Sequence, residues 1–323
     1  MGALDNMYKI RQINLVDRAF KRSAKPSAKR SARTGLFARS GLIIFCTLLL
    51  TACSSTKMAY EFLDWVAMWK VDRMVELNSQ QRKRTEAEIH TLHDWHRATQ
   101  LPRYADYLEG LRQRLLAAMA TGSVTGEQIH AETDEVQLML DDVLEQLLPA
   151  ATEIVASLSD EQVSGLLGRL AEERQEYIDE YVKPDSEERR QKNEDEFKDN
   201  LKRFIGRLNS QQEQWIDDWS RKLVPYAELS ARQQILWQEH LGKYLTLRDN
   251  KALLQQGLRE LMLYRTDNWA PEAEKAMDIN QTLTYDLLAR ILNNLTDEQQ
   301  KRLDKSLRGY ITDFRELTKK GEQ

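Results

Sequence analysis

The sequence predicts an all-α fold, an elongated multi-helix bundle built of helical hairpins. Apolar residues recur at spacings of three and four through residues 58–323. No alternating β-branched run bounded by turn residues interrupts them. One helix-start signature also repeats six times: an apolar residue, then Ser, Thr or Asn, then Gln three positions later, as in Leu158-Ser159-Asp160-Glu161-Gln162. This is a capping box. The polar side chain accepts from a free first-turn amide, and the Gln reaches back to the cap's own amide. Each such cap is worth ~1 kcal/mol.

The first helix is expected over 58–76. Its segment Tyr60 to Arg73 is apolar around most of its circumference, which means burial on all sides or a membrane surface. The preferred placement is a central helix, with Asp64 or Asp72 paired to a buried arginine. The alternative is an interfacial helix whose Tyr60, Phe62, Trp65 and Trp69 face a membrane or a partner. Interfacial helices usually carry a strongly charged opposite face, and this one does not.

The boxes at Asn78, Thr125, Ser159, Asn209, Ser230 and Thr296 open helices over 79–99, 126–148, 160–182, 210–223, 231–248 and 297–319. Pro102 and Pro271 sit where 102–120 and 271–293 begin, and Pro149 separates 126–148 from a short helix over 150–157. Helices over 186–207 and 250–264 complete the set. The charged stretch 183–192, opening with Lys183-Pro184, predicts a kink in a long hairpin in preference to a hinge between halves. Trp215 and Trp219, one turn apart beside Ile216, read as core. Leu-Asn-Ser-Gln-Gln occurs at 77 and again at 208, an echo followed by Trp95-His96-Arg97 and by Trp219-Ser220-Arg221 at unequal spacing.

Ahead of these helices, ten Lys and Arg with only Asp5 and Asp17 precede an apolar run, Gly41 to Leu50, which ends in Leu50-Thr51-Ala52-Cys53. The run is about half the ~20 residues of a membrane span and reads as the core of a signal peptide. Leu50 to Cys53 resembles the lipobox of bacterial lipoproteins. That resemblance implies cleavage between Ala52 and Cys53, lipidation of the Cys53 thiol, and, with Ser54 next, sorting to the outer membrane in enteric-type bacteria. The expected organisation is a signal peptide over 1–52, a lipidated tether over 53–57, and a single all-α domain over 58–323. The basic leader is longer than usual, as a start codon placed too far upstream would make it; Val16 or Leu36 would give shorter leaders.

Losing residues 1–52 changes the formal charge from −4 to −12. An acidic chain is a poor general partner for nucleic acid, so none is expected. The only cysteines are Cys46 and Cys53, which leaves the processed chain without an internal disulfide.

Catalytic signatures are absent from the sequence. There is no His-Glu-x-x-His, no Gly-x-Ser-x-Gly and no phosphate-binding glycine loop. Glu127-Gln128-Ile129-His130 is a lone Glu-x-x-His where a di-iron bundle needs two. His90, His93 and His96 stand ~60° apart around a helix. An exposed polar face is the preferred reading of this trio, and a metal site with Glu86 or Asp94 is the alternative. The charged run Asp185 to Asp199 reads as a solvated face.

Cys53, Tyr60-x-x-Leu63-Asp64-Trp65, Asp72-Arg73 and Leu77-x-x-x-Gln81 together resemble an uncharacterised family of helical lipoproteins of Gram-negative bacteria. The resemblance implies location and fold, and no catalytic residue. Leu295-Thr296-Asp297-Glu298-Gln299 is also similar to a motif of small periplasmic stress chaperones, which capping alone explains. The resulting expectation is a non-enzymatic binding or scaffolding lipoprotein without a cofactor, on the periplasmic side of the outer membrane, with an envelope protein as partner. A periplasmic chaperone or foldase is the alternative, and a metal protein or enzyme comes third.

Overall fold

The computed structural model describes residues 55–263 and 269–320, and among them it is helical without a strand. The helices are α1 (Ser55–Glu61), α2 (Leu63–Met74), α3 (Ser79–Trp95), α4 (Leu101–Ala120), α5 (Gly126–Ala156), α6 (Asp160–Tyr177), α7 (Ser186–Ile205), α8 (Ser210–Lys222), α9 (Ala227–Thr246), α10 (Lys251–Leu263), α11 (Pro271–Leu292) and α12 (Asp297–Lys320). Two π-helical turns, His96–Gln100 and Ile178–Val182, lead on from α3 and α6. The leader, Ala52 and Cys53 lie outside the described residues.

Five of the six capping boxes close as the sequence expects, at Asn78, Thr125, Ser159, Asn209 and Thr296. The sixth does not. Helix α9 already begins at Ala227, so Ser230 lies inside it and Gln233 is buried instead of reaching back to a cap. Asp185 forms a box the sequence reading missed, with Glu188 in the Gln position.

Prolines prove gentler than expected. Pro149 lies inside the unbroken α5, so 126–148 and 150–157 are one helix. An interior proline costs ~3 kcal/mol, and the neighbouring Leu148, almost fully buried, helps to offset it. At Pro102 the preceding π turn carries the chain through: the Leu101 amide donates to His96 O, five residues back. This wider turn relieves the clash a proline ring makes with the carbonyl four residues earlier.

Two apolar clusters hold the helices together. The first gathers Met119, Phe197, Trp215, Ile216, Trp219, Ile291 and Leu303, from α4, α7, α8, α11 and α12. The second gathers Leu148, Leu241, Leu245, Leu254 and Leu258 from α5, α9 and α10, with the α6 leucines packed on them. The long α5 runs between them, placing Ile129 against the first and Leu148 in the second. Gly257 in α10 lies under the Tyr244 ring of α9, where a Cβ would stand 2.1 Å from Cδ1.

A second joining device is polar. The capping glutamines Gln81 and Gln162 face each other across the start of α3 and the start of α6. Gln81 Nε2 donates to Gln162 Oε1 at 3.0 Å, and Gln162 Nε2 donates to Gln81 Oε1 at 2.8 Å and to Glu76 O at 2.6 Å. Gln212 and Gln299 repeat the pattern at the starts of α8 and α12, with amide contacts of 3.0 and 2.9 Å and a donation from Gln299 to Arg207 O at 2.8 Å. Glu76 and Arg207 each lie two residues before the paired cap, Asn78 or Asn209.

Candidate functional site

The first two helices occupy the edge of the structure and not its centre. In α2 only Met68 is buried. Phe62 is 53 % exposed and Trp65 is 60 % exposed, and Met58 and Leu63 are exposed beside them. The preferred central placement is therefore corrected. Of the four residues assigned to an outward face, Phe62 and Trp65 are on it. Trp69 is half-buried with the Arg73 guanidinium 5.1 Å from its ring centre, and Tyr60 turns inward. Neither aspartate meets a buried arginine: Asp72 pairs with the exposed Arg82 at 2.5 Å, and Asp64 meets histidines.

The inward face builds a polar cluster. Tyr60 stands over His93 at 4.6 Å between ring centres and over His96 at 5.7 Å, and its hydroxyl shares a 2.9 Å hydrogen bond with His96 Nδ1. Asp64 lies 2.5 Å from His93 Nδ1, outside hydrogen-bond geometry, and 3.3 Å from His90 Nδ1. Arg97 covers the Tyr60 ring at 5.5 Å and reaches Glu61 at 3.4 Å, and Lys320 reaches the same carboxylate at 3.1 Å. Burial drives His96 down to about 4, with the charge of His93 acting the same way. Burial also lowers His93, against the pull of Asp64. Burial raises Tyr60, against the opposing effect of Arg97.

The expected exposed histidine face holds only for His90. His93 is buried and His96 half-buried, because α1 and α2 cover that side of α3. Among the described residues, no three His, Cys, Asp or Glu side chains are arranged to hold a metal ion. The cluster is a clasp that fixes the N-terminal helices to α3 and, through Glu61 and Lys320, to the end of α12.

A second constellation, missed in the sequence, lies where α6 hands over to α7. The chain turns at Lys183 to Asp185. Beyond that corner α6 packs on α2 and α9, while α7 packs on α8 and α12. A cavity of about 760 Å³ opens there, walled by Tyr177, Tyr181, Trp219, Tyr226, Trp237 and Trp269. The π turn at 178–182 adds an extra residue per turn and leaves the Tyr177 and Tyr181 rings stacked 5.3 Å apart. Asn280 of α11 clamps the chain at Val224, accepting from its amide at 2.8 Å and donating to its carbonyl at 2.9 Å. Trp237 Nε1 is held by Leu261 O at 3.2 Å.

Charge in this cavity is arranged unusually. Arg190 is saturated by Glu187, Glu194 and Asp217. Arg174, Arg189 and Arg232 also line the cavity and make no ion pair among the described residues. Arg189 gives one bond, to Val182 O at 2.8 Å. Gln234 Nε2 is buried on the lining with no acceptor. The density of Tyr and Trp between 177 and 237 was the available signal, but Trp219 read as core, which it also is, and the helix carrying Arg189 read as a solvated face.

The model of a family of unknown function (DUF6279) matches residues 73–274, so the chain belongs to that family. The match covers the three histidines, Arg97 and nearly all of the cavity, and leaves out Tyr60, Glu61, Asp64 and Lys320 of the histidine cluster, together with most of α11 and all of α12. Comparison with curated proteins and with solved structures finds no match.

Proposed function

We propose that this DUF6279 protein is a non-catalytic binding or scaffolding protein of the cell envelope, anchored through Cys53 to the outer membrane on its periplasmic side. The observation that carries the reading is the exposed apolar face of α1 and α2. Met58, Phe62, Leu63 and Trp65 begin five residues after the lipobox cysteine. Among the described residues no helix is long and apolar enough to cross a membrane; in this reading the acyl chains on Cys53 supply the attachment, at ~0.8 kcal/mol per buried methylene. Burying Phe62 and Trp65 at a bilayer surface adds ~1.5–3 kcal/mol for each side chain of that kind. On the opposite side of the same helices, the histidine clasp fixes the body's orientation to the tether.

The test is membrane fractionation of cells expressing the chain and its Cys53→Ser variant, followed by in-cell crosslinking. The proposal requires Cys53-dependent recovery in the outer-membrane fraction and one dominant envelope partner. Equal membrane recovery of both forms removes the anchor. Crosslinking to many unfolded clients with no dominant partner replaces the scaffold with a chaperone.

A further inference from the structure

We infer that the cavity at the α6–α7 corner is a binding site for an acidic saccharide, a sugar of one to three rings carrying a carboxylate. Its volume of about 760 Å³ falls within the range of small-molecule sites, roughly 300–1,000 Å³. Three features of the lining select the chemistry. Six aromatic side chains wall it, and the C–H face of a pyranose packs on the electron-rich face of such rings. Side-chain amides and hydroxyls, among them Asn193, Ser230, Gln234 and Gln238, supply partners for ring hydroxyl and acetamido groups. Gln234 Nε2 already points a buried donor at no acceptor, an arrangement that costs free energy unless a ligand oxygen completes it.

The guanidiniums require the negative charge. Arg174 and Arg189 are half-buried on the cavity wall without a carboxylate partner, and Arg232 joins them at the mouth. Elsewhere on this chain Arg112, partly buried, is neutralised by Glu109 and Asp304, and within the cavity itself Arg190 is neutralised by three carboxylates. The lining carboxylates do not take this role. Glu173 and Glu228 are exposed at the rim, and Glu196 accepts from the Tyr181 hydroxyl at 3.2 Å. A guanidinium fork matches a carboxylate in two parallel hydrogen bonds. The walls come from both sides of the Lys183–Asp185 corner, so a ligand seated here also joins α6 to α7, α8 and α9. This reading stands apart from the tether and needs neither lipid nor partner.

The experiment titrates the purified full-length chain with two disaccharides differing by one acidic group, N-acetylglucosaminyl-N-acetylmuramic acid and di-N-acetylchitobiose. Tryptophan fluorescence is the readout, since Trp237 and Trp269 line the cavity. The acid sugar should give a saturable change and bind at least about tenfold more tightly than the neutral one, the ratio expected for one charge-assisted contact. Arg174→Gln and Arg232→Gln, neither of which removes an internal bond, should each weaken it by about tenfold with unchanged far-UV circular dichroism. Glu135→Gln, at an exposed position of α5 outside the cavity lining, should leave it within about twofold. Equal affinity for both sugars, no saturation, full-strength binding in both arginine variants, or displacement by equimolar inorganic phosphate would each overturn the assignment.

Discussion

Removing the buried amide of Gln212 should destabilise the protein far more than removing an ordinary capping glutamine. Gln212 is 0 % exposed. Its Oε1 accepts from the Asn209 amide at 3.0 Å and from Gln299 Nε2 at 2.9 Å, and its Nε2 donates to Gln299 Oε1 at 3.0 Å. Gln212→Ala therefore strands the Asn209 amide, worth ~1–3 kcal/mol for a buried unpaired group. It also removes most of a fully buried side chain and so leaves a small cavity. Gln299 keeps bonds to Thr296 N and Arg207 O, so its loss is partial. The sum is ~2–4 kcal/mol. Urea denaturation at pH 7, followed together by circular dichroism and tryptophan fluorescence, reads this as a lower midpoint at constant slope. The cycle Gln212→Ala, Gln299→Ala and the double variant should show a coupling of ~1–2 kcal/mol. A loss below about 0.5 kcal/mol for Gln212→Ala, the usual size of a surface change, or strict additivity in the cycle, would refute the idea that the amide pair joins the two helices.

Three further outcomes are expected. Gly257→Ala should cost ~1–3 kcal/mol, because the new methyl displaces the Tyr244 ring and breaks its bond to Glu260; thermal unfolding measures it, and an unchanged midpoint would contradict the contact. Trp65→Ser should leave urea stability within about 0.5 kcal/mol, against ~3–5 for a core tryptophan, while weakening adsorption to anionic lipid vesicles. His96 should titrate near 4 by NMR. Its folded value lies below its ordinary 6.5, so the unfolded chain binds the proton first and stability falls as pH drops from 6.5 towards 4. The shift accounts for at most ~3 kcal/mol, less with solvent screening; His96→Gln should flatten that part of the pH profile, and an identical profile would remove His96 as its cause.

The legible part of the fold was the part encoded locally. Capping boxes act within four residues, so Asn78, Thr125, Ser159, Asn209 and Thr296 announced their helices correctly. Ser230 misled because Pro225 and Tyr226 had already started α9, and a box inside a helix has no free amides to cap. Pro149 misled because a proline's local cost can be overridden by burial of neighbours such as Leu148, which no short window reveals. The α1–α2 segment was ambiguous for the same reason. Its lack of a strongly charged face favoured a core helix over an interfacial one, and only the packing of Tyr60 against His93 and His96 shows which face turns in. The cavity was least legible, since Arg174, Arg189 and Arg232 are distinguished by the carboxylates they lack, and an absence of partners is a property of three dimensions.

The two glutamine pairs give the sequence echo a physical basis. Leu77-Asn78-Ser79-Gln80-Gln81 pairs with Leu158-Ser159-Asp160-Glu161-Gln162, and Leu208-Asn209-Ser210-Gln211-Gln212 pairs with Leu295-Thr296-Asp297-Glu298-Gln299, over separations of 81 and 87 residues. In each pair the second glutamine also caps the carbonyl two residues before the first box. Each helix keeps its own cap, and the bridging amides couple its start to another helix far along the chain. The first clasp ties α3 to α6 and the second ties α8 to α12. The cavity lies where the first arrangement hands the chain to the second, at a corner that neither clasp secures. A ligand bound there would cross-link the two arrangements, and so should raise the unfolding midpoint.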